Sequence, residues 1–338
     1  MKQSIFSEKR WTVFALSGFI LLFVTNCGLG NLDAQDLGGG EWVAFAPVPV
    51  ATQEIGVAEL DGLIYVLGGI LGTRAIGDNV QVYNPETNTW RSAAPMPTAL
   101  HHMGVATVNG NLYVVGGYFG NFQPVDTLFE YNPRVNRWTE RASLPTAKGG
   151  LIAVAIDGLI YATGGARGQS VDDLDVYDPQ TDQWTGLRSM NGRRDHHAAA
   201  VIDDKIYVAG GRDQSNFTLD TMEVYDPETN RWTELTNMPT GRSGNAAAAL
   251  NGCLYVFGGE GNRQNQDGVF PEVERYDPGS DSWTSITPME VARHGIGAAV
   301  IDNHIFIPAG GPVQGLGVTN LNDALEVPED ISCEIESL

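Results

Sequence analysis

The sequence predicts an all-β fold, a six-bladed β-propeller of four-stranded antiparallel blades. Three observations carry that prediction. A diglycine recurs as Gly68-Gly69, Gly116-Gly117, Gly164-Gly165, Gly210-Gly211, Gly258-Gly259 and Gly310-Gly311, with a period of about 48 residues. Trp42, Trp90, Trp138, Trp184, Trp232 and Trp283 keep the same beat. Strand and turn signals fill the space between them, and a period of that length with that content marks a propeller or similar array.

Each element of one period follows from its residues. The first strand is a run of small residues, such as HAAAVI (197–202) or NAAAAL (245–250). A two-residue turn comes next, Asp61-Gly62, Asn109-Gly110, Asp157-Gly158 or Asn251-Gly252, because these pairs tolerate the positive φ that a tight hairpin needs. The second strand carries an aromatic three residues before the diglycine: Tyr65, Tyr113, Tyr161, Tyr207 and Tyr255. After a variable loop, the third strand ends in Tyr-Asx-Pro, as in VYDPETNRW (224–232), where Asx before Pro sets a tight turn. The Trp then opens a fourth strand. Four short antiparallel strands make one blade.

The ring must also shut. The last copy has a first run, GIGAAVI (295–301), a second run to Gly310-Gly311 and a third, DALEV (323–327), but no Trp follows Trp283. An orphan, EWVAFAPVP (41–49), aligns with TWRSAAPMP (89–97). The N-terminal strand is therefore expected to complete the last blade, protecting what would be exposed sheet edges. In that blade IFIPAGG reads as carrying an extra residue beside Pro308, so a bulge is expected.

Strand, diglycine, Tyr-Asx-Pro and Trp at this spacing resemble the Kelch repeat over about residues 41–327. The resemblance implies a propeller whose diglycines let neighbouring aromatics and backbone approach closely.

Length alone would suggest two domains for 338 residues, but the repeat argues for one propeller over 41–327. Forty-one acids against 20 bases give a net charge of −21. That argues against a nucleic-acid partner, which needs clustered positive charge. Lys9-Arg10 precede the apolar run WTVFALSGFILLFVTN (11–26), the size of a signal-peptide core and short for a membrane span. Residues 1–27 are expected to be a signal peptide or a membrane or lipid anchor, with Cys27 the candidate lipidation site. Residues 28–40 read as a flexible linker and 328–338 as an acidic tail. An exported protein follows (periplasmic, cell-surface or extracellular), meeting a membrane only through its N-terminal segment. Cys253 lies just after a turn in blade 5, and Cys333 lies in a tail leaving blade 6 on the same side. They are candidates for a disulfide, which an oxidising compartment permits.

The loops from strand four to the next strand one, and from strand two to strand three, emerge together on one face. Across the blades the first kind aligns Thr52, Leu100, Lys148, Arg194, Arg242 and Arg293. The next position holds Gln53, His101, Gly149, Asp195, Ser243 and His294, and the one after it Glu54, His102, Gly150, His196, Gly244 and Gly295. The second kind adds Arg74, Tyr118, Phe119, Phe122, Arg167, Arg212, Phe217, Glu260 and Arg263. Candidate ligand-binding residues are Lys148, Arg194, Arg242, Arg293, Arg74, Arg167, Arg212, Arg263, Tyr118 and Phe119. Arginines and aromatics around a concave mouth suit a protein loop, a glycan or a small anion. Arg194, Arg242 and Arg293 are expected to border the mouth together, although in Kelch repeats such positions often serve packing.

His101, His102, His196, His197 and His294 all fall here. No metal is expected, because His294 sits one position earlier than His102 and His196, and nothing points to another cofactor. No nucleophile elbow, P-loop or dinucleotide fingerprint is present. The main expectation is a binding module without chemistry of its own. The alternative is a small-sugar enzyme of the sialic-acid mutarotase type, which the chain resembles in export, blade number and length. Opening a sugar hemiketal needs an acid and a base. Glu54, His101, His102, His196 and Glu260 are the candidates.

Overall fold

In the computed structural model, which describes residues 38–315 and 317–333, six four-stranded antiparallel sheets follow one another along the chain. Their first strands are Gly56–Leu60, Gly104–Val108, Ile152–Ile156, Ala198–Ile202, Ala246–Leu250 and Ala299–Ile301. Each packs against the first strand of both neighbouring blades, and the last touches the first. These strands therefore ring an axis, and crowding there explains their small residues. A Cβ on Gly104 would stand 2.9 Å from that of Ala153, and one on Gly297 2.7 Å from that of Val57.

Glu41–Ala44 pairs with Asn322–Glu326, Trp42 opposite Leu325, and so supplies the outer strand of blade 6. Phe45 extends the ladder through its N–H to the Asn322 carbonyl at 2.8 Å.

The diglycine has a backbone cause. The first glycine is left-handed (φ 55° at Gly68 and Gly116), and its N–H bonds the residue just before the third strand of its own blade, as Gly68 does to the Asn79 carbonyl at 2.9 Å. The second glycine reaches across the blade boundary. Gly69, Gly117, Gly165, Gly211 and Gly259 donate to the carbonyls of Leu100, Lys148, Arg194, Arg242 and Arg293, and Gly310 closes the circle on Thr52. Side chains are excluded by this approach, since a Cβ on Gly116 would lie 2.6 Å from the Lys148 carbonyl oxygen.

Blade 6 departs from the expectation. His304–Pro308 pairs with Asn322–Glu326 without interruption, so there is no bulge. Ala309, left-handed at φ 56°, stands where the other blades have their first glycine, and its N–H bonds Leu321 as Gly68 bonds Asn79. The working pair is Ala309-Gly310. Gly311 is the residue after it.

The outer edge carries a second seam that the turn signals do not announce. Tyr83 donates its hydroxyl to Asn88 Oδ1 at 2.8 Å. Asn88 Oδ1 also accepts the Ala46 N–H at 2.8 Å, while Trp90 Nε1 donates to the Ala46 carbonyl at 2.8 Å. Tyr, Asx and Trp thus grip one residue of the preceding blade by both its peptide groups. The grip recurs with Asn136 and Trp138 on Ala94, Asp182 and Trp184 on Ala142, Asn230 and Trp232 on Arg188, and Asp281 and Trp283 on Thr236.

Cys253 and Cys333 are joined in a disulfide with Cα atoms 5.0 Å apart. The tail lies against the blade 5 turn, Cys333 N–H bonding the Asn251 carbonyl at 2.9 Å and Asn251 Nδ2 the Ile331 carbonyl at 3.1 Å. The bridge closes a separation of 80 residues, and losing it is expected to lower unfolding free energy by about 2–4 kcal/mol. Urea titration of Cys333→Ser against oxidised wild type checks this, and coincident midpoints would contradict it. Thr287 Oγ1 bonds the Gly38 and Gly40 carbonyls at 3.2 and 2.9 Å, tying the end of the expected linker to blade 5. The expected leader, Cys27 and the rest of that linker lie outside the described residues. No helix among the described residues is long and apolar enough to cross a membrane.

Candidate functional site

One loop position from each blade meets at the axis: Glu54, His102, Gly150, His196, Gly244 and Gly295. All six are left-handed, with φ between 53° and 67°. Each N–H donates to the carbonyl of its counterpart one blade back. Glu54 bonds Gly295 at 2.7 Å, His102 bonds Glu54 at 3.0 Å and Gly150 bonds His102 at 2.8 Å. His196, Gly244 and Gly295 complete the circle at 2.9, 2.8 and 2.9 Å. Below this belt the first strands line a channel of about 560 Å³ with mostly apolar and small side chains.

Glycine is at home in this conformation, whereas another residue held there costs about 1–3 kcal/mol. Three blades use glycine. The other three hold Glu54, His102 and His196, and the glycines make room for them. A Cβ on Gly150 would lie 2.9 Å from His196 Nδ1, and one on Gly295 2.6 Å from Glu54 Cδ. Chemically able side chains at strained axial positions point to use.

A second tier comes from the residue after each glycine pair. Tyr118, Arg212 and Glu260 bridge to His101, Asp195 and Ser243. Arg212 Nε bonds Asp195 at 2.9 Å, Nη1 bonds Glu260 at 3.0 Å and Nη2 bonds His196 Nε2 at 2.9 Å. Asp195 also accepts from His196 Nδ1 at 2.5 Å and from the Ser170 hydroxyl. Glu54 lies 3.1 Å from His102 Nε2 and 3.3 Å from His294 Nδ1. His102 Nδ1 in turn shares a proton with His101 Nδ1 at 2.5 Å. Glu54, His102 and His196 are 8–9% exposed, so the cluster forms the floor of the mouth.

Burial would raise the Glu54 carboxyl, but the imidazoles of His102, His294 and His196 together hold it well below the usual carboxylate range. Burial drives His102 the other way, well below the ordinary imidazole value, despite Glu54 beside it. His294 is pushed up: burial opposes this, but Glu54 and Glu260 prevail. Burial would also raise Asp195, yet His196, Ser170 and Arg212 hold it low. The floor therefore sets an ionised carboxylate beside a neutral imidazole, with a guanidinium within reach.

The structure gathers the five catalytic candidates, Glu54, His101, His102, His196 and Glu260, with Arg212 and Tyr118. It places the first-slot cations elsewhere. Arg194, Arg242, Arg293 and Lys148 do not border the mouth; they run into the blades and are buried. Arg194 meets Glu223 at 3.0 Å, Arg242 meets Glu274 at 2.8 Å, Arg293 meets Asp323 at 2.8 Å and Lys148 meets Asp175 at 2.8 Å. The reason is spatial. Each acid lies on the third strand of the same blade, directly under the slot. Where blade 2 has Leu100 in the slot, Phe129 stands at the acid's position. Asp195, Ser170 and His294 were not singled out as site residues by the sequence, which offers no motif for them.

Above the floor, residue types alternate around the rim. Blades 1, 3 and 5 expose Arg74, Arg167 and Arg263, and Arg167 pairs with Asp173. Blades 2, 4 and 6 expose Phe119 and Phe122, Phe217, and Val313. The Arg212 guanidinium lies 5.0 Å from the Phe217 ring centroid, a cation–π distance.

Comparison with known proteins agrees with this architecture. The model of the KLHDC2/KLHL20/DRC7 Kelch-repeats domain matches residues 41–193 and 188–311. The Kelch-like protein terF of Aspergillus terreus (strain NIH 2624 / FGSC A1156) is 35% identical over 69 residues. That match takes in 20% of this chain and only 15% of the relative. Among solved structures, the structure of YjhT superposes with a TM-score of 0.71 at 19% identity, over 85% of this chain and 98% of that one. At that identity the likeness speaks to fold.

Proposed function

This chain belongs to the Kelch-repeat family, and from that premise we propose that it is an exported binding module, presenting the loops of one face to a protein or glycan partner. The observation that carries the proposal is the rim. Phe119, Phe122 and Phe217 are 49%, 52% and 39% exposed around a concave, polar floor. Exposed aromatics spaced around a pocket mark a recognition surface. The guanidinium groups of Arg74, Arg167 and Arg263 favour carboxylates on that partner. Export rests on the apolar N-terminal run.

The test is selection of ligands from a displayed peptide library and an anionic glycan array. Ligands enriched by wild type are expected to bind Phe119→Ala/Phe122→Ala/Phe217→Ala at least about tenfold more weakly, since each buried aromatic anchor contributes 1 kcal/mol or more. Because Phe122 also rests on His101, His102 and Tyr118 and Phe217 lies under Arg212, the melting temperature of the variant is read alongside, and Phe119→Ala alone supplies the ring without such contacts. Equal binding by the variant would remove the rim from the proposal.

A second reading is favoured by one observation, the ionised Glu54 beside neutral His102 with Arg212 at hand. Glu54 is placed to act as the base, His294, which is pushed up beside it, as the acid, and Arg212 as the carboxylate clamp that a mutarotase-type reaction on a small acidic sugar requires. Exchange NMR on free sialic acid with purified protein decides it. Anomer interconversion no faster than buffer leaves the binding module alone.

A further inference from the structure

We propose that Glu54, His102 and His196 form a binding site for one divalent first-row transition-metal ion, of the zinc class, on the propeller axis. Each residue offers one donor atom, and the three atoms lie within 4.8 Å of one another. Two imidazoles and a carboxylate are a recurrent zinc set, with room for water in the remaining position. Nitrogen donors select against magnesium and calcium, which take oxygen.

Three features mark this as a built site. The first is the space: the belt residues line a cavity of about 50 Å³ on the axis, larger than the roughly 30 Å³ that one water takes. The second is orientation. Asp195, an acceptor, takes the His196 Nδ1 proton at 2.5 Å. The His196 Nε2 lone pair is thereby turned toward the cluster, where Arg212 now donates to it at 2.9 Å. A carboxylate behind a histidine is the usual outer support of a ligating imidazole, and His101 supports His102 in the same way. The third is charge. Glu54, Asp195 and Glu260, all nearly buried, face the Arg212 guanidinium and the His294 imidazole. Three carboxylates outnumber these two partners, and a divalent cation offsets the excess negative charge.

Arg212 is the competitor, and its position allows it to yield. Its side chain is 24% exposed, and Nε and Nη1 keep Asp195 and Glu260 when Nη2 leaves His196. The spacing of histidines along the chain hides the set, because the third ligand is a glutamate from another blade rather than His294.

The experiment uses the full chain, stripped with chelator and titrated with Co²⁺. One equivalent is expected to give the visible bands of four- or five-coordinate Co²⁺, abolished by one equivalent of Zn²⁺. Asp195→Asn, which loosens His196 without removing a ligand, is expected to weaken binding about 10–100-fold, and His304→Ala to leave it unchanged. His102→Ala/His196→Ala should abolish the bands. Wild type that binds no stoichiometric Co²⁺ overturns the proposal whether or not any variant folds. So does equal binding by the double variant.

Discussion

A chain lacking residues 41–46 is expected to lose its whole fold in one cooperative step. Those residues hold two boundaries at once. Glu41–Ala44 covers the edge of Asn322–Glu326 in blade 6. Trp42 reaches back to blade 5, its ring 6.1 Å from that of Phe257. Phe45 packs on Phe306 at 5.0 Å and on Tyr83 of blade 1 at 6.2 Å. Ala46 is the residue gripped by Asn88 and Trp90. Deletion removes the outer strand of one blade and the outer seam between the last blade and the first, leaving a bare sheet edge open to other chains. Circular dichroism against temperature checks the expectation. A truncated protein that melts with the full-length one would show that the ring closes without this strand.

The second large effect is expected at Arg242. The side chain is wholly buried; Nη1 bonds Glu274 at 2.8 Å and Nη2 the Val256 carbonyl at 3.0 Å. Arg242→Ala leaves the Glu274 carboxylate, 1% exposed, without its counter-charge. Breaking a buried pair on one side costs about 3–5 kcal/mol, whereas replacing both partners with apolar groups is often neutral. The protein itself carries the control, since blade 2 fills the same two positions with Leu100 and Phe129, both in one apolar cluster. Arg242→Leu/Glu274→Phe is therefore expected to recover most of the stability that Arg242→Ala loses. Urea midpoints of the two variants decide it. A single variant within about 1 kcal/mol of wild type would mean that the pair holds little, as exposed pairs do.

These two cases also show what the sequence makes legible. Strands, hairpins and ring closure could be read because each is a local pattern repeated in register, and a repeated pattern averages out local ambiguity. In blade 6 the glycines themselves mislead, because Gly310-Gly311 is shifted by one from the pair that works. The aromatic is the better marker, since three residues on from Phe306 stands Ala309, in the left-handed position. Asn88, Asn136, Asp182, Asn230 and Asp281 look like ordinary turn residues, and their bonds to the preceding blade involve partners about 40 residues away that no local rule names. The sequence points the first-slot arginines to the mouth because loop membership gives height along the axis but not the direction a side chain takes. A signal was available: Leu100 with Phe129 against Arg242 with Glu274 is a paired change between copies of one repeat. Glu54, His102 and His196 could be named as candidates. Their convergence could not, since it depends on a circle of backbone hydrogen bonds running across all six blades.

The closing strand also sets an order of events during synthesis. Glu41–Ala44 leaves the ribosome early, while its partner Asn322–Glu326 is made some 278 residues later. At about 5–20 residues per second that interval is on the order of tens of seconds. Throughout it, blades 1 to 5 can pair internally, but Trp42 and Phe45 have no blade 6 to join. The growing chain is an open arc with two unpaired ends, and the window for capture by a chaperone, or by another arc, lasts until the final strands emerge.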